Sequence, residues 1–509
     1  MFENLNLLFY GFASVFTFNN ILACLFGTIA GVFIGAMPGI GALTGVAVLL
    51  PITFAMNPAS AIIMLAAVYY ACAYGGSISA VLLNIPGDTP AICTALDGYP
   101  LTKKGMPGKA LTTCFMSSFI GGTIGILILT VSGPMLARIG LNFGSPELAL
   151  LILLALTSIG WLLGDNVIHG LLATSLGVLF ATVGTDYAAG YLRFHFGIPN
   201  LMAGVAFVPL VIGMFGFSQV IEMVTQRGIG DREKANIRIQ DMFLTWGEVK
   251  RILPVQVRCG LLGTFVGVMP GAGSTSAAFL AYIMERRINR NGSKFTKGVI
   301  EGCAASEAAN NSAVAGAFAP LLTLGIPGSS TTAILLGGLM MWGLQPGPLL
   351  FTEKPDFVWP LIASFYLANV IGLITCFACI PLAMKAVSIS NAVLAPIVFA
   401  TCVVASYTTN NSMFDVYFMI GVGILSYFLK LSEIPTAPLL LAFVLSPMLE
   451  KYIRQSFDMT RGDPSIFIRN SICWILIALF WGFCFAPIIV KRVKGGRARK
   501  QSSQEFRTH

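Results

Sequence analysis

An all-α, polytopic membrane fold in two homologous halves is what this sequence predicts, and three observations carry that reading. The 509 residues are 56% hydrophobic and only 10% charged, against about 25% charge in soluble domains; there is too little polar side chain to cover a water-soluble core. The apolar runs are long and continuous, not alternating, which selects helices over a transmembrane barrel. Finally, one stretch occurs twice, as Gly31-Val32-Phe33-Ile34-Gly35-Ala36-Met37-Pro38-Gly39-Ile40-Gly41 and as Gly263-Thr264-Phe265-Val266-Gly267-Val268-Met269-Pro270-Gly271-Ala272-Gly273. Each copy is followed by a second element, Asn84-Ile85-Pro86-Gly87-Asp88 and Gly325-Ile326-Pro327-Gly328-Ser329, 48 and 57 residues beyond the first proline. Two such cassettes indicate an internal duplication. Broken, glycine-rich helices in matching positions of two halves are the device from which secondary transporters build substrate sites.

Taken in order, residues 1–26 are expected to form a helix interrupted by Asn19 and Asn20. Gly31 and Gly35 offer a close-packing face, and Pro38, with Gly39 and Gly41, breaks the helix. The chain restarts near Leu43 and turns at Asn57-Pro58. A helix is expected over Ser60–Tyr74, with Tyr69, Tyr70 and Tyr74 as lining or interface residues, an interruption at Gly75-Gly76-Ser77 and a second break at Pro86-Gly87. A polar loop with Asp97, Lys103, Lys104 and Lys109 follows. Spans are expected at Leu111–Val131, Glu147–Leu163, Gly170–Val183 and Leu201–Gln219, with a tight turn at Gly164-Asp165-Asn166 and a polar excursion over 184–197.

Residues 226–258 hold seven Lys and Arg against four Asp and Glu. They divide a first half, 1–225, from a second, 259–490, and are expected to include a surface-lying amphipathic helix. Cys259–Met284 has 26 residues between two basic flanks. At ~1.5 Å per residue it is too short to cross a ~30 Å core twice. A re-entrant hairpin with Pro270, Gly271 and Gly273 at its tip fits better. Gly298–Leu324, the break at Pro327-Gly328 and Ala333–Trp342 follow. Further spans are expected at Trp359–Ile380, Ala392–Ala405, Val416–Leu429, Pro438–Pro447 (short) and Ile472–Val490, for about twelve membrane segments in all. Residues 491–509 form a basic tail with seven cations and one acid. Lys and Arg beside membrane segments place the tail, the linker and the loop 285–298 on the cytoplasmic side.

The polar residues narrow the chemistry. The eleven cysteines lie mostly in apolar surroundings and read as small buried residues, not as disulfides or metal ligands. Three dispersed histidines offer no metal site, and the N-terminus lacks the basic region of a cleavable signal peptide. There is no nucleotide-binding Gly-x-x-x-x-Gly-Lys-[Ser/Thr], no Gly-x-Ser-x-Gly and no His-Glu-x-x-His, so neither an ATPase nor another enzyme is expected. No cofactor and no nucleic-acid partner are expected; sodium is the one metal in view.

An intramembrane carboxylate is expensive and usually functional. Glu307, on one helical face with Asn311, is the leading candidate, carrying a coupling proton or coordinating sodium; the plainer reading is a hydrated or hydrogen-bonded structural carboxylate. Asp88 is the second ion-coupling candidate, whereas Glu301, near the basic loop, is expected to be solvated. No arginine lies inside the apolar segments of either cassette. An anion must then be held by backbone N–H groups at broken-helix N-termini, with the small polar side chains around the breaks: Thr44, Asn84, Ser274, Thr275, Ser276, Asn310, Asn311, Ser329, Ser330 and Thr331. Those hydroxyls can equally cap helices, and both readings hold together.

The order of these motifs resembles the large membrane subunit of the tripartite tricarboxylate transporters, the TctA family, over about Gly27 to Arg469. The likeness is carried by Gly35-Ala36-Met37-Pro38-Gly39-Ile40-Gly41, Leu83-Asn84-Ile85-Pro86-Gly87, Leu96-Asp97-Gly98-Tyr99-Pro100, Arg193-Phe194-His195-Phe196-Gly197, Glu307-Ala308-Ala309-Asn310-Asn311, Leu324-Gly325-Ile326-Pro327-Gly328-Ser329 and Leu449-Glu450-Lys451 with Arg454-Gln455-Ser456. The resemblance implies a multi-pass permease of the bacterial inner membrane. It implies uptake of citrate and other organic carboxylates, driven by a sodium or proton gradient and not by ATP. The partners implied are a small four-helix membrane subunit and a periplasmic solute-binding protein; a second copy of the chain, as a homodimer, is a further candidate. An anion channel or a membrane scaffold without coupled transport is the alternative, and a membrane enzyme a distant third. Inverted repeats are the arrangement expected by analogy with other transporters.

Overall fold

A computed structural model describes residues 2–37, 39–162, 167–186, 190–225, 242–387 and 391–482. The chain opens with α1 (Phe2–Val15) and α2 (Phe18–Ala36). The interruption expected at Asn19-Asn20 falls earlier, at Phe16-Thr17. Asn20 lies inside α2 and ties the joint together, donating to the Ser14 carbonyl at 2.9 Å and accepting from Ser60 Oγ at 2.6 Å.

The first cassette continues as α3 (Gly41–Leu49), a 3-10 turn (Leu50–Ala55), α4 (Pro58–Leu83) and α5 (Ala91–Lys103). The expected interruption at Gly75-Gly76-Ser77 is absent: α4 runs unbroken. Gly75 is small for a packing reason, since a Cβ there would overlap the Val32 carbonyl of α2. Asp97 is not in a loop either, but buried on α5. Then come α6 (Pro107–Gly140), α7 (Ser145–Leu162) and α8 (Val167–Ala181). The tight turn expected at Gly164-Asp165-Asn166 lies outside the described residues. The polar excursion contains a two-stranded antiparallel hairpin, β1 (Gly184–Thr185) and β2 (Leu192–Arg193). Next are α9 (Phe207–Val211), a π-helical stretch (Ile212–Phe217) and α10 (Ser218–Thr225).

Of the charged linker, 226–241 lies outside the described residues. Residues 246–258 are not a separate surface helix; they are the first half of α11 (Trp246–Val268), started by a Thr245–Glu248 capping box. The second half continues through α12 (Gly273–Ile288), α13 (Ile300–Leu324), α14 (Ser330–Met341), α15 (Leu350–Glu353) and α16 (Pro355–Val387). It ends with α17 (Asn391–Asn410), α18 (Met413–Leu431), α19 (Thr436–Met459) and α20 (Ser471–Gly482). The short segment expected at Pro438–Pro447 is the first part of α19. Pro438 sits in its first turn, where a missing N–H is harmless, and Pro447 is accommodated inside the helix. Among the described residues, nine helices are long and apolar enough to cross a membrane, and five shorter apolar helices accompany them. Cys376 and Cys379 have a Cys-x-x-Cys spacing on α16, and both are free thiols.

Two helices form the axis of the bundle. Every residue of α4 from Ser60 to Leu82, and every residue of α13 from Ile300 to Thr323, is buried. Each is gripped by a helix of its own half, α4 by α2 and α13 by α11. Cβ atoms on Gly27, Gly31 and Gly35 of α2 would run into the carbonyls of Met64, Val68 and Cys72. Cβ atoms on Gly263 and Gly267 of α11 would run into those of Ala309 and Ala313. The close-packing face read from Gly31 and Gly35 therefore exists, and exists twice. Each axial helix is also covered by a long helix from the opposite half. Gly121 and Gly125 of α6 lie on Ala308 and Ser312 of α13; Asn369 of α16 takes the Tyr74 hydroxyl of α4. Asn310 bonds the Ala73 carbonyl and Phe318 packs on Tyr69, so α4 and α13 run antiparallel. The pairs Thr130–Tyr366 and Thr123–Asn369 set α6 antiparallel to α16 in the same way.

Candidate functional site

The backbone of the two cassettes repeats almost angle for angle. The first hairpin turns through Gly39 (φ 81°) and Gly41 (φ 62°), the second through Gly271 (φ 78°) and Gly273 (φ 61°). These left-handed values are open to glycine at little cost. The central helices end alike, on Asn84 (φ 58°) and Gly325 (φ 71°), each a left-handed C-cap. After each cap an Ile-Pro-Gly segment folds back along its own helix. Gly87 donates to the Gly76 carbonyl of α4 at 3.4 Å; Gly328 lies against Ala317 of α13, and its carbonyl accepts from Gly271 N of the hairpin tip at 3.1 Å. A Cβ on Gly87 would fall on the Gly35 carbonyl oxygen; one on Gly328 would stand 2.7 Å from that of Gly267. Pro86 and Pro327 open these returns and Pro270 opens the second tip, while Pro38 lies outside the described residues.

The side chains at the breaks differ. In the first half, Asp88 follows Gly87. Its carboxylate accepts from Thr89 N at 2.8 Å and, at 3.5 Å, from Ala42 N in the first turn of α3. In the second half Ser329 stands in the corresponding place and caps α14, exchanging bonds with Thr332. Tyr69 of α4 joins the two breaks. Its hydroxyl lies 3.0 Å from Ser329 Oγ and comes near Ser274 at the start of α12 and within electrostatic reach of Asp88. The structure thus brings together Asp88, Ser274 and Ser329, with Ser330 and Thr331 in the turn beside Ser329. Thr275 and Ser276 share the half-buried first turn of α12. Four expected members lie apart: Asn84 is exposed at its cap, Thr44 gives its hydroxyl to the Phe215 carbonyl at 3.4 Å, and Asn310 and Asn311 lie at Glu307.

Glu307 occupies a second polar centre, between α5, α6 and α13. It is wholly buried. Thr94 donates to Oε1 at 2.5 Å and Ser118 to Oε2 at 2.9 Å, while the Asn310 amide lies against the same carboxylate. Among the described residues no ion pair reaches it. Asn311, expected as its helical neighbour, donates to the Glu307 backbone carbonyl at 3.4 Å instead. The Oδ1 atoms of both Asn310 and Asn311 are buried without a partner. Thr94 and Ser118 were not legible in the sequence; lone hydroxyls in apolar helices carry no spacing signal.

The remaining acids and arginines correct the sequence reading. Glu301, expected to be solvated, is 2% exposed and pairs with Arg251 at 2.6 Å. Buried Glu285 pairs with Arg258 at 2.8 Å. Both arginines belong to α11, so the helix of the second cassette does contain arginine; but each is held by a carboxylate in the part of the helix before Cys259, away from the tip. Asp97 accepts from Gly298 N, Val299 N and the Tyr282 hydroxyl at 2.8, 3.1 and 2.7 Å, pinning the turn that starts α13. A carboxylate beside a helix N-terminus is stabilised there by the exposed N–H groups. These groups therefore serve the fold.

A family model described as "Tripartite tricarboxylate transporter TctA family" matches residues 21–441. A protein of Agrobacterium vitis described as "Uncharacterized 52.8 kDa protein in TAR-I ttuC' 3'region" is 37% identical over 479 residues, 94% of each chain. A second from the same organism, "Uncharacterized protein in TAR-II ttuC' 3'region", is 39% identical over 217 residues, 43% of this chain and 90% of the relative. No solved structure matches the chain.

Proposed function

The chain belongs to the TctA family of tripartite tricarboxylate transporters, and from that premise we propose that it is the large permease subunit of a secondary transporter for organic carboxylates. The single observation that carries this reading is the junction at Tyr69, where a phenol of the first half meets the Ser329 cap of the second within electrostatic reach of Asp88. In this reading the N–H groups and hydroxyls of Ser329, Ser330, Thr331 and Ser274 receive the carboxylate. Asp88 and Glu307 take up the coupling cation, sodium or a proton. The antiparallel course of α4 against α13, and of α6 against α16, supports treating the halves as inverted repeats that rock about the junction in alternating access. A binding protein outside the membrane delivers the substrate, and a small membrane subunit completes the complex.

Reconstitution of the complete complex into proteoliposomes tests this. Saturable uptake of citrate that follows an imposed sodium or proton gradient is expected. Flux linear in concentration and indifferent to both gradients would make the protein a channel or scaffold and end the proposal. Imposing the two gradients separately identifies the ion. Sidedness is tested by labelling a cysteine at Ser502 in intact cells; the cytoplasmic assignment of the tail requires that a membrane-impermeant reagent fail to reach it.

A further inference from the structure

Three acceptor groups stand without a matching donor on one turn of α13. Glu307 is wholly buried and, among the described residues, meets no cation, whereas Glu285 and Glu301 each hold an arginine. Asn310 and Asn311, three and four residues further on, share its helical face. The Oδ1 of each is buried with no hydrogen-bond partner. Turning the amides over does not cure this. Asn310 Nδ2 faces the Ala73 carbonyl at 3.4 Å, with the amide against the Glu307 carboxylate, and Asn311 Nδ2 faces the Glu307 carbonyl at 3.4 Å. Exchanging oxygen for nitrogen in either amide would set acceptor against acceptor.

The Thr94 and Ser118 hydroxyls donate to the carboxylate, but they orient its charge without cancelling it. A buried charge and two unpaired amide oxygens each cost free energy. A proton would neutralise the acid, yet a carboxyl group has one O–H to give and two amide oxygens wait. A water molecule could donate to both amides and would leave the charge. A metal cation answers both needs, because it neutralises the acid and gathers several oxygens at once. A divalent ion would trade a buried negative charge for a buried positive one, so the charge required is single. Carboxylate and amide oxygens are hard ligands, which excludes the soft transition metals. Space favours a small ion: Cβ atoms on Gly121 and Gly125 of α6 would run into α13, and one on Gly122 would meet the Tyr70 hydroxyl.

We infer that this turn of α13 is a binding site for one sodium ion, with the Glu307 carboxylate and the Oδ1 atoms of Asn310 and Asn311 as its ligands. Both asparagines are thereby assigned to the cation and not to the organic substrate. Thr94 and Ser118 come from the first half and the three ligands from the second, so movement of one half against the other opens and closes the site. Asn310 also holds α4 at Ala73, one turn from Tyr69 and its contact with Ser329. An ion on Asn310 therefore steadies the stretch of α4 on which the junction depends. The ion's use in coupling rests on the transport reading; the site itself rests on the three acceptors.

The test uses the full chain in nanodiscs in choline chloride, without partners, substrate or gradient. Radioactive sodium is expected to bind saturably and to be displaced by unlabelled sodium but not by the same concentration of potassium. Glu307→Gln should abolish the binding. Asn310→Ala and Asn311→Ala should each weaken it by roughly tenfold or more, the least that disturbing the surroundings of a bound metal costs. Melting separates an ion ligand from a structural acid. In choline chloride Glu307→Gln should melt no lower than the unaltered chain, because it removes an uncompensated charge. Sodium should raise the melting temperature of the unaltered chain and not that of the variant. Absence of saturable binding, equal displacement by potassium, or full binding by Glu307→Gln or by both asparagine variants would each overturn the site. So would a Glu307→Gln variant that melts lower in choline chloride. Because the assay needs no transport, sodium binding without citrate uptake would break the transport reading alone, and gradient-driven uptake without sodium binding would break this one alone.

Discussion

The two helix breaks share a backbone and differ in charge. Gly39 and Gly41 (φ 81° and 62°) repeat in Gly271 and Gly273 (78° and 61°), and the cap at Asn84 (58°) repeats in Gly325 (71°). At the next step the first half presents Asp88 where the second presents Ser329. The lesson is that glycine and proline set where the chain turns back, while one side chain decides which sign of charge the turn receives. A carboxylate on the first return favours a cation; N–H groups and hydroxyls on the second favour an anion.

Four tests, with six substitutions, would break or sharpen this contrast. The largest effect is expected from Gly87→Ala against Gly328→Ala. The first Cβ has no room at all beside the Gly35 carbonyl, whereas the second meets Gly267 at 2.7 Å. Gly87→Ala should cost more than about 3 kcal/mol, and Gly328→Ala about 1–3 kcal/mol; thermal melting of the purified variants reads both, and equal melting temperatures would mean that the two returns are packed alike. Next, Glu307→Gln should lower gradient-driven uptake by roughly tenfold or more with assembly intact, since the amide keeps an acceptor for Thr94 or Ser118. Unchanged uptake and ion dependence would make the carboxylate structural. A smaller, more specific change is expected from Asp88→Asn: weaker dependence on the coupling ion with carboxylate recognition retained. If it instead raised the KM for citrate and left the ion response alone, the assignment of charge to the two breaks would be reversed. The smallest effect belongs to the caps. Asn84→Gly should lie within about 0.5 kcal/mol of neutral, because the residue is exposed and the conformation suits glycine. Gly325→Asn should cost about 1–3 kcal/mol, because a Cβ there would stand 2.6 Å from the Pro346 carbonyl. Melting curves again decide, and equal costs would erase the difference in packing.

What could be read in advance follows from what repeats. The glycines at 31, 35, 263 and 267, the tips at 39, 41, 271 and 273, and the returns at 86–87 and 327–328 were all visible, because a duplicated pattern stands out from an apolar background. Gly75-Gly76 was misread for a related reason: a glycine that permits a turn and one that admits a neighbouring backbone look the same in a string. Glu301 was misplaced because its cation, Arg251, lies 50 positions away. The Tyr69–Ser329 contact spans 260 positions, and the hydroxyls that hold Glu307 come from two other helices. Such partners are chosen by tertiary packing, on which local periodicity is silent. The ion pair of Arg193 with Glu450 was half legible. Arg193 and Glu450 each fell within a motif that the family resemblance singled out, yet nothing in their spacing said that they meet.

The exchange of long helices between the halves bears on how the protein is made. When the ribosome has released the first half, α6 presents Gly121 and Gly125 to a partner, α13, that has not yet been translated. Nor is there an α16 to cover α4. The first half must therefore wait in the bilayer as an incomplete bundle, its glycine grooves filled by lipid or by a chaperone, until roughly the last third of the chain arrives to displace them. A nascent chain stalled near residue 250 should be a substrate for membrane proteolysis, and the same fragment should be rescued when the second half is supplied as a separate polypeptide.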